Sequence, residues 1–447
     1  MTPYETIRTV TRRGVVLTLA VFCGVMGFYY GSGLLIAMCE ALVATVALAY
    51  AYVRMAAAGL SIARTFTPRA YEEEQVRVAL RVRNRSWLPL YLVELRDWFA
   101  ADGLPLKHLV VQRVPARSSG LQIEYIGACV HGRGRFDVGP LEATVSDPLG
   151  LFTRRRVFAE RGELVVYPRT FPVRDLGLQE LMWRAPVSAP SNFRAGQAAT
   201  FLGTREYRAG DNVRHIHWPS TARWGKLILK EFEVDTNLEV TIFLDLCQKS
   251  LRGVGRGSNI EYGVRIAASI ADHVTQRLFA CQLIADPGPP IVIPPRTGKH
   301  HLIAILDTLA RVRSTGRQPY LDLVTAGMRF VGDGAAVVLL FTTLDIPEDG
   351  FYAVSAELMR KGARVVPVVM DESTFLPVET AGMRRAEGEK RLAKVRQLFG
   401  LFGVEPLVIR SGEDLARAFG RPIAPRAVKV PESAPPPPDV EILEVRA

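Results

Sequence analysis

The residues best suited to chemistry lie in the second half of the chain. Asp245 closes an apolar run, Glu239–Leu246, that reads as a strand. Open α/β sheets place ligands at the carboxyl ends of their strands, so Asp245 is the best single candidate for a site. A carboxylate there can hold Mg²⁺ together with hydroxyls and waters. The hydroxyls are missing, because the sequence continues Leu246-Cys247-Gln248-Lys249. Lys249 can instead pair with Asp245 and replace the cation, and Cys247 reads as a small buried thiol. His215 and His217 flank Ile216 and are expected on one face of a strand. Zinc needs three or four ligands, and His300 and His301 are remote, so the plainer reading is two polar residues in a packed interface. A metal-assisted hydrolase using His215, His217 and Asp245 is the enzymatic alternative. Gly253-Val254-Gly255-Arg256-Gly257 has neither the spacing nor the ending of a phosphate loop and reads as a turn. No Ser/His/Asp or Cys/His set assembles, so no catalytic residue and no cofactor is assigned, with Mg²⁺ at Asp245 kept open.

A second set of residues is concentrated in Gly203–Glu233, GTREYRAGDNVRHIHWPSTARWGKLILKEFE. This run is too polar for a core and too aromatic for a linker. Asp211, in the turn Gly210-Asp211-Asn212, can accept backbone hydrogen bonds. Arg205, Arg214 and Arg223 offer planar forks to carboxylates such as Glu231. Tyr207 and Trp218 can bury large areas while keeping a polar handle. The expectation is a joint between the flanking domains that also forms part of a partner surface.

Those residues need a scaffold and a location. At 447 residues the chain is long enough for two to four domains, and 48% hydrophobic content supports sizeable cores. Between Arg13 and Arg54 the only charged side chain is Glu40. Gly31-Ser32-Gly33 splits that stretch into expected helices at 15–30 and 34–53. About 20 apolar residues span a bilayer, so residues 1–60 read as a two-pass anchor with Tyr29, Tyr30, Tyr50 and Tyr52 near the headgroups. Phe28-Tyr29-Tyr30 makes a poor cleavage site for a signal peptide. Arg8, Arg12 and Arg13 precede the pair and Arg54, Arg64 and Arg69 follow it, while the turn carries no Lys or Arg. The positive-inside rule then puts both ends in the cytoplasm of an inner-membrane protein. Five scattered cysteines without a CxxC fit reduced thiols. The net charge of +11 is spread along the chain and partly sits beside the membrane, where anionic lipid attracts it. No basic block or groove-reading motif points to nucleic acid.

Residues 61–167 read as a β-sandwich-like domain. Val76, Val78, Leu80 and Val82 alternate with Arg77, Ala79, Arg81 and Arg83, the period of a half-buried strand. Further strands are expected at Leu90–Leu95, Leu121–Ile126 and Leu164–Tyr167, punctuated by turns. Residues 168–236 hold a connector and the Gly203–Glu233 run. Residues 237–420 change rhythm. Strands at Glu239–Leu246, Cys281–Ala285, Ala336–Phe341, Arg364–Met370 and Pro406–Ile409 alternate with helices. The first helix opens on a capping box, Ser258-Asn259-Ile260-Glu261. Such alternation argues for an α/β domain with a mostly parallel sheet. Residues 421–447 form a Pro-rich tail.

Arg205, Glu206, Tyr207, Gly210, Asp211, Arg214, Ile216, Trp218, Ala222, Arg223, Gly225, Leu227 and Glu231, in this spacing, resemble the membrane proteins that carry the domain of unknown function number fifty-eight. Gly132-Arg133-Gly134 and Asp147-Pro148-Leu149-Gly150-Leu151-Phe152 are similar to their upstream part, as is the two-helix anchor. The resemblance implies a von Willebrand A-like second half, and a scaffold or adaptor associated with a MoxR-class AAA+ ATPase rather than an enzyme. Two departures stand out. His217 replaces the usual Asp before Trp218. Of the Asp-x-Ser-x-Ser metal motif only Asp245 remains, followed by Cys247 and Lys249, with Thr343 expected where a second site Asp would stand.

Overall fold

The apolar stretch near the N-terminus is helical well beyond its apolar limits. In the computed structural model, which describes residues 3–173, 201–207, 216–232, 239–376, 381–400 and 404–419, helix α1 runs Pro3–Tyr30 and α2 runs Gly33–Ala58. The helices exceed the expected 15–30 and 34–53 because the flanking residues, such as Met55-Ala56-Ala57-Ala58, are good helix formers. Gly31, at φ +62°, turns the chain between them. Both helices are long and apolar enough to cross a membrane. They pack closely: a Cβ added to Gly27 would lie 2.9 Å from Ile36 Cγ1. Small residues at such a crossing let two helix backbones approach.

The described residues divide into two compact units, Met1–Arg169 with Leu306–Val312, and Thr170–Ile305 with Arg313–Ile423. In the first, the helix pair leads into two sheets. One has β1 (Leu60–Phe66), β3 (Gln75–Asn84) and β6 (Leu121–Ala128) in the order β1-β3-β6, all antiparallel. The other is ordered β2-β9-β7-β4-β5, from β2 (Arg69–Tyr71), β4 (Leu90–Phe99), β5 (Leu106–Val114), β7 (Gly134–Ser146) and β9 (Gly162–Tyr167), with β8 (Thr153–Phe158) also on β7. The alternation read in β3 is realised: Val76, Val78, Leu80 and Val82 are buried and the arginines between them exposed. They share one core with Leu95, Phe99, Leu141 and Val166 of the second sheet. Ala56 and Ala57, at the end of α2, join that core. Arg156 of β8 donates from Nη1 to the carbonyls of Ala57 and Leu60, both 2.7 Å away. A cation there satisfies helix-terminal carbonyls that have no partner in the helix. Inside the core, Asp97 is fully buried against Arg64 (Nη2–Oδ1 2.5 Å) and the Tyr125 hydroxyl (2.8 Å). Burial raises the Asp97 pKa, against the pull of Arg64.

The second unit carries a six-stranded sheet ordered β14-β13-β12-β15-β16-β17. Its strands are β12 (Glu239–Leu244), β13 (Ala280–Ala285), β14 (Ile291–Arg296), β15 (Ala336–Phe341), β16 (Arg364–Met370) and β17 (Leu407–Ile409). All pair in parallel except β14, an antiparallel edge. Counted within this sheet the order is 3-2-1-4-5-6. Alternate residues of β12 feed opposite faces. Phe243 packs with Val324, Phe351, Leu392 and Phe399, side chains of the helices Tyr320–Gly327, Glu348–Arg360 and Ala381–Gly400. Leu244 faces the helix Asn259–Gln276, where a Cβ on Gly263 would lie 3.3 Å from Leu244 Cδ1. That helix opens as the capping box predicts, with Ser258 Oγ accepting from Glu261 N at 3.3 Å. The four helices are labelled α4 (Asn259–Gln276), α6 (Tyr320–Gly327), α7 (Glu348–Arg360) and α8 (Ala381–Gly400). Before them α3 is Trp218–Trp224, between the first two α5 is Lys299–Arg311, and α9 (Leu415–Phe419) ends the described chain.

Candidate functional site

Strand order alone selects one place on the second unit. After β12 the chain crosses one face of the sheet through α4; after β15 it crosses the other through α7. The carboxyl ends of these neighbouring strands are therefore the switch point at which such sheets hold ligands. Asp245 stands there and is 1% exposed. Both of its carboxylate oxygens accept hydrogen bonds from the protein. Cys247 N donates to Oδ1 at 2.9 Å, and the Thr342 hydroxyl donates a short hydrogen bond to Oδ2. Ser250 adds a side-chain hydrogen bond. Burial raises the Asp245 pKa, and these donors oppose the rise. The Tyr320 hydroxyl donates to Phe243 O at 3.0 Å; burial and the Asp245 charge push its pKa well up.

Asn259 closes the site from α4. Its Nδ2 donates to Ser250 O (2.6 Å) and Thr342 O (2.7 Å), while Oδ1 accepts from Arg252 N (2.8 Å) and Ile260 N (2.9 Å). This fully buried amide ties the loop after β12 to the end of β15. Next along the sheet edge, Thr343 donates to Glu372 at 2.9 Å, and Arg391 lies 3.4 Å from the same carboxylate. It is Thr342, not the expected Thr343, that meets Asp245. Nor does Lys249 pair with Asp245: its place is taken by neutral donors. The hydrogen-bond partners of Asp245 among the described residues are an amide and two hydroxyls, with no second carboxylate or imidazole among them, a donor set poor in anionic ligands for a divalent ion. Among the described residues no group of three or more His, Cys, Asp or Glu could hold a metal.

The aromatic run forms a separate element. Strands β10 (Phe201–Glu206) and β11 (Ile228–Phe232) pair as an antiparallel two-stranded sheet, with Arg205 opposite Leu229 and Gly203 opposite Glu231. Tyr207 N donates to Leu227 O at 2.9 Å. His217, expected on a strand, instead takes the N-cap position of α3, because Pro219 in the first turn favours a helix start. Its Nδ1 lies 2.7 Å from Ser220 Oγ. Gly225, at φ +64°, ends α3 in the left-handed conformation, and Arg223 lies in its last turn. Gly210, Asp211, Arg214 and His215 lie outside the described residues. Trp218, expected to bury its ring, is 67% exposed, and Trp224 is 72% exposed; the following Leu227 is also exposed.

Residues 203–379 match the family model described as Protein of unknown function DUF58. No curated protein matches the chain. Solved structures with local likeness include the CARDB domain of the PF1109 protein from Pyrococcus furiosus, in complex with di-metal ions. It is 12% identical over 24% of this chain and 91% of that one, with a TM-score of 0.18. A protein from Archaeoglobus fulgidus is 12% identical over 24% and 96%, with a TM-score of 0.17. The sporulation control protein Spo0M from Bacillus subtilis is 7% identical over 28% and 54%, with a TM-score of 0.16. Scores this low say nothing about this chain.

Proposed function

We propose that this is a membrane-anchored interaction protein whose second unit is von Willebrand A-like. In this reading α1 and α2 hold the chain in the inner membrane with both units in the cytoplasm. The α3–β11 surface meets a protein partner, which the resemblance suggests is a MoxR-class AAA+ ATPase. The observation that carries the reading is the exposure of Trp218, Trp224 and Leu227 on one short helix and the turn after it, inside the matched stretch. Interface hot spots are enriched in Trp, and a side chain of this size exposed in isolation loses apolar burial with nothing in return. The 3-2-1-4-5-6 strand order with an antiparallel third strand supports the von Willebrand A-like reading. The inward-turned Asp245 favours a binding surface over metal chemistry.

The test is affinity purification of the full chain from its native membranes in mild detergent, with and without Mg-ATP, followed by mass spectrometry. An AAA+ ATPase whose recovery changes with nucleotide, and drops at least about thirtyfold (the scale of a 2 kcal/mol hot spot) in Trp218→Ala/Trp224→Ala, is the expected result. Equal recovery with both variants and wild type refutes the surface assignment.

A further inference from the structure

One groove in the first unit combines apolar walls with a single cation. It has a volume of about 430 Å³ and is lined by Val15 and Val16 of α1, Leu42 and Thr45 of α2, and Leu149 and Leu151 after β7, with Arg12 also in the lining. Thr45 spends its hydroxyl on Ala41 O (2.8 Å) and so adds no free polar group to the wall. The turn is built to hold its place. Asp147 accepts from Leu149 N (2.9 Å) and Phe152 N (2.5 Å), and Gly150 N donates to Asp147 O (3.0 Å). Arg13 donates from Nε to Leu151 O and lies 4.5 Å from the Phe152 ring centroid. Tyr50 meets the same ring edge to face, 5.5 Å between centroids. Leu151 is buried while Leu149 stays 55% exposed on the groove.

The Arg12 guanidinium rests on Gly150, where a Cβ would come within 2.7 Å of Nη1. Among the described residues no carboxylate pairs with it. Helical rise places Arg12 roughly 27 Å along α1 from Tyr30, and Val15 and Val16 roughly 21–23 Å, at 1.5 Å per residue. A hydrocarbon layer of about 30 Å therefore puts the walls inside the leaflet nearer the sheets and Arg12 at its boundary.

We propose that this groove binds an anionic glycerophospholipid of that leaflet, with an acyl chain between Val15, Leu42 and Leu149 and the phosphate on Arg12. The proposal rests on the reading that α1 and α2 span the membrane. Apolar walls select a chain, and a guanidinium presents a planar fork to phosphate. The Asp147–Phe152 turn then acts as a membrane-dipping wedge whose Leu149 closes the lipid site.

The test uses the full chain reconstituted in nanodiscs of phosphatidylcholine with a minor share of phosphatidylglycerol, re-extracted and analysed for retained lipid by native mass spectrometry. Alkaline carbonate extraction of the native membranes is run alongside. Wild type should retain phosphatidylglycerol over phosphatidylcholine by about fivefold more than Arg12→Gln, the scale of one basic residue at an anionic surface. Arg12→Lys should keep part of that preference. Leu149→Trp, which fills the groove without touching the charge, should lose retention of both lipids. Equal phosphatidylglycerol preference in wild type and Arg12→Gln, or retention undiminished in Leu149→Trp, overturns the lipid site. Release of the chain by carbonate overturns the spanning reading on which the site rests. Retention in the pellet without a phosphatidylglycerol preference overturns the lipid site alone.

Discussion

Asp245 can be tested by two substitutions that separate its shape from its charge. Asp245→Ala leaves the Cys247 amide and the Thr342 hydroxyl without an acceptor in a site that is 1% exposed. A buried donor left unsatisfied costs about 1–3 kcal/mol, so the pair costs at least about 2 kcal/mol, or roughly thirtyfold in a local equilibrium. Asp245→Asn keeps an oxygen for Cys247 N and offers an amide to the Thr342 oxygen, so it should cost far less. Charge then enters through pH. Burial raises the Asp245 pKa above its ordinary value of about 4. The stabilising contribution of the protonated carboxyl is fully present below that ordinary value and is lost as pH rises through the raised one. Wild type should therefore lose local stability relative to Asp245→Asn as pH rises from about 4 through the raised pKa, and match it below. Hydrogen exchange at the Cys247 amide in the full chain reads this directly, each variant being compared with wild type at the same pH. Protection in Asp245→Ala equal to wild type would refute the hydrogen-bonding account. Millimolar Mg²⁺ that raises Cys247 protection in wild type but not in Asp245→Asn would refute the conclusion that the donor set does not fit a metal.

Three further outcomes follow from the geometry. Arg64→Ala strands the buried Asp97 carboxylate, which should destabilise the first unit by about 3–5 kcal/mol, and Asp97→Asn in the same chain should recover much of the loss; limited proteolysis of the β strands at fixed temperature measures both. Because burial already raises the Asp97 pKa, the penalty should shrink as pH falls and the carboxyl takes a proton. Gly316→Ala would set a Cβ 2.2 Å from Asp286 O and 3.0 Å from Leu246 O, both backbone atoms, and should displace the loop after β12 at a cost of about 1–3 kcal/mol; faster exchange at Gln248 N, which donates to Gly316 O, is the readout. Ser32→Cys, in the turn between α1 and α2, should react with an impermeant maleimide from outside intact cells if both units face the cytoplasm, and labelling only after lysis reverses that orientation.

The architecture was legible wherever one period dominated. β15 and β16 coincide with the apolar runs Ala336–Phe341 and Arg364–Met370, because a strand covered on both faces is apolar along its length. β14 escaped notice because Ile291-Val292-Ile293-Pro294-Pro295-Arg296 carries two prolines, which a sheet tolerates at an edge. α6, eight residues long, was too short to show a helical period. The ends of α1 and α2 were misjudged for a different reason. Apolar length reports the solvent around a helix, whereas the helix itself continues through Tyr52 and Arg54 until Gly59. There Ala57 passes from the apolar span into the β core.

The site was legible only as far as strand ends reveal it. Asp245 was found because a charge that terminates an apolar strand has to lie at the sheet edge. Its partners were not, since Thr342 and Asn259 reach it through the pairing of β12 with β15 and the start of α4, neither of which is written in local spacing. The family resemblance points to Thr343, one residue past the hydroxyl that meets Asp245. The hydroxyl that matters is set by which side of the sheet edge each residue faces, and Thr343 turns to Glu372 instead. Cys247 and Lys249 stand after Asp245 where hydroxyls would help a cation, and a hydroxyl that reaches it comes from Thr342 instead. The Cys247 amide and the Thr342 and Ser250 hydroxyls offset part of the cost of burying this carboxylate, and its raised pKa means that burial still outweighs them. If the proposed partner binds at the exposed tryptophans of α3, its recovery should be unchanged by Asp245→Asn and abolished by Trp218→Ala/Trp224→Ala.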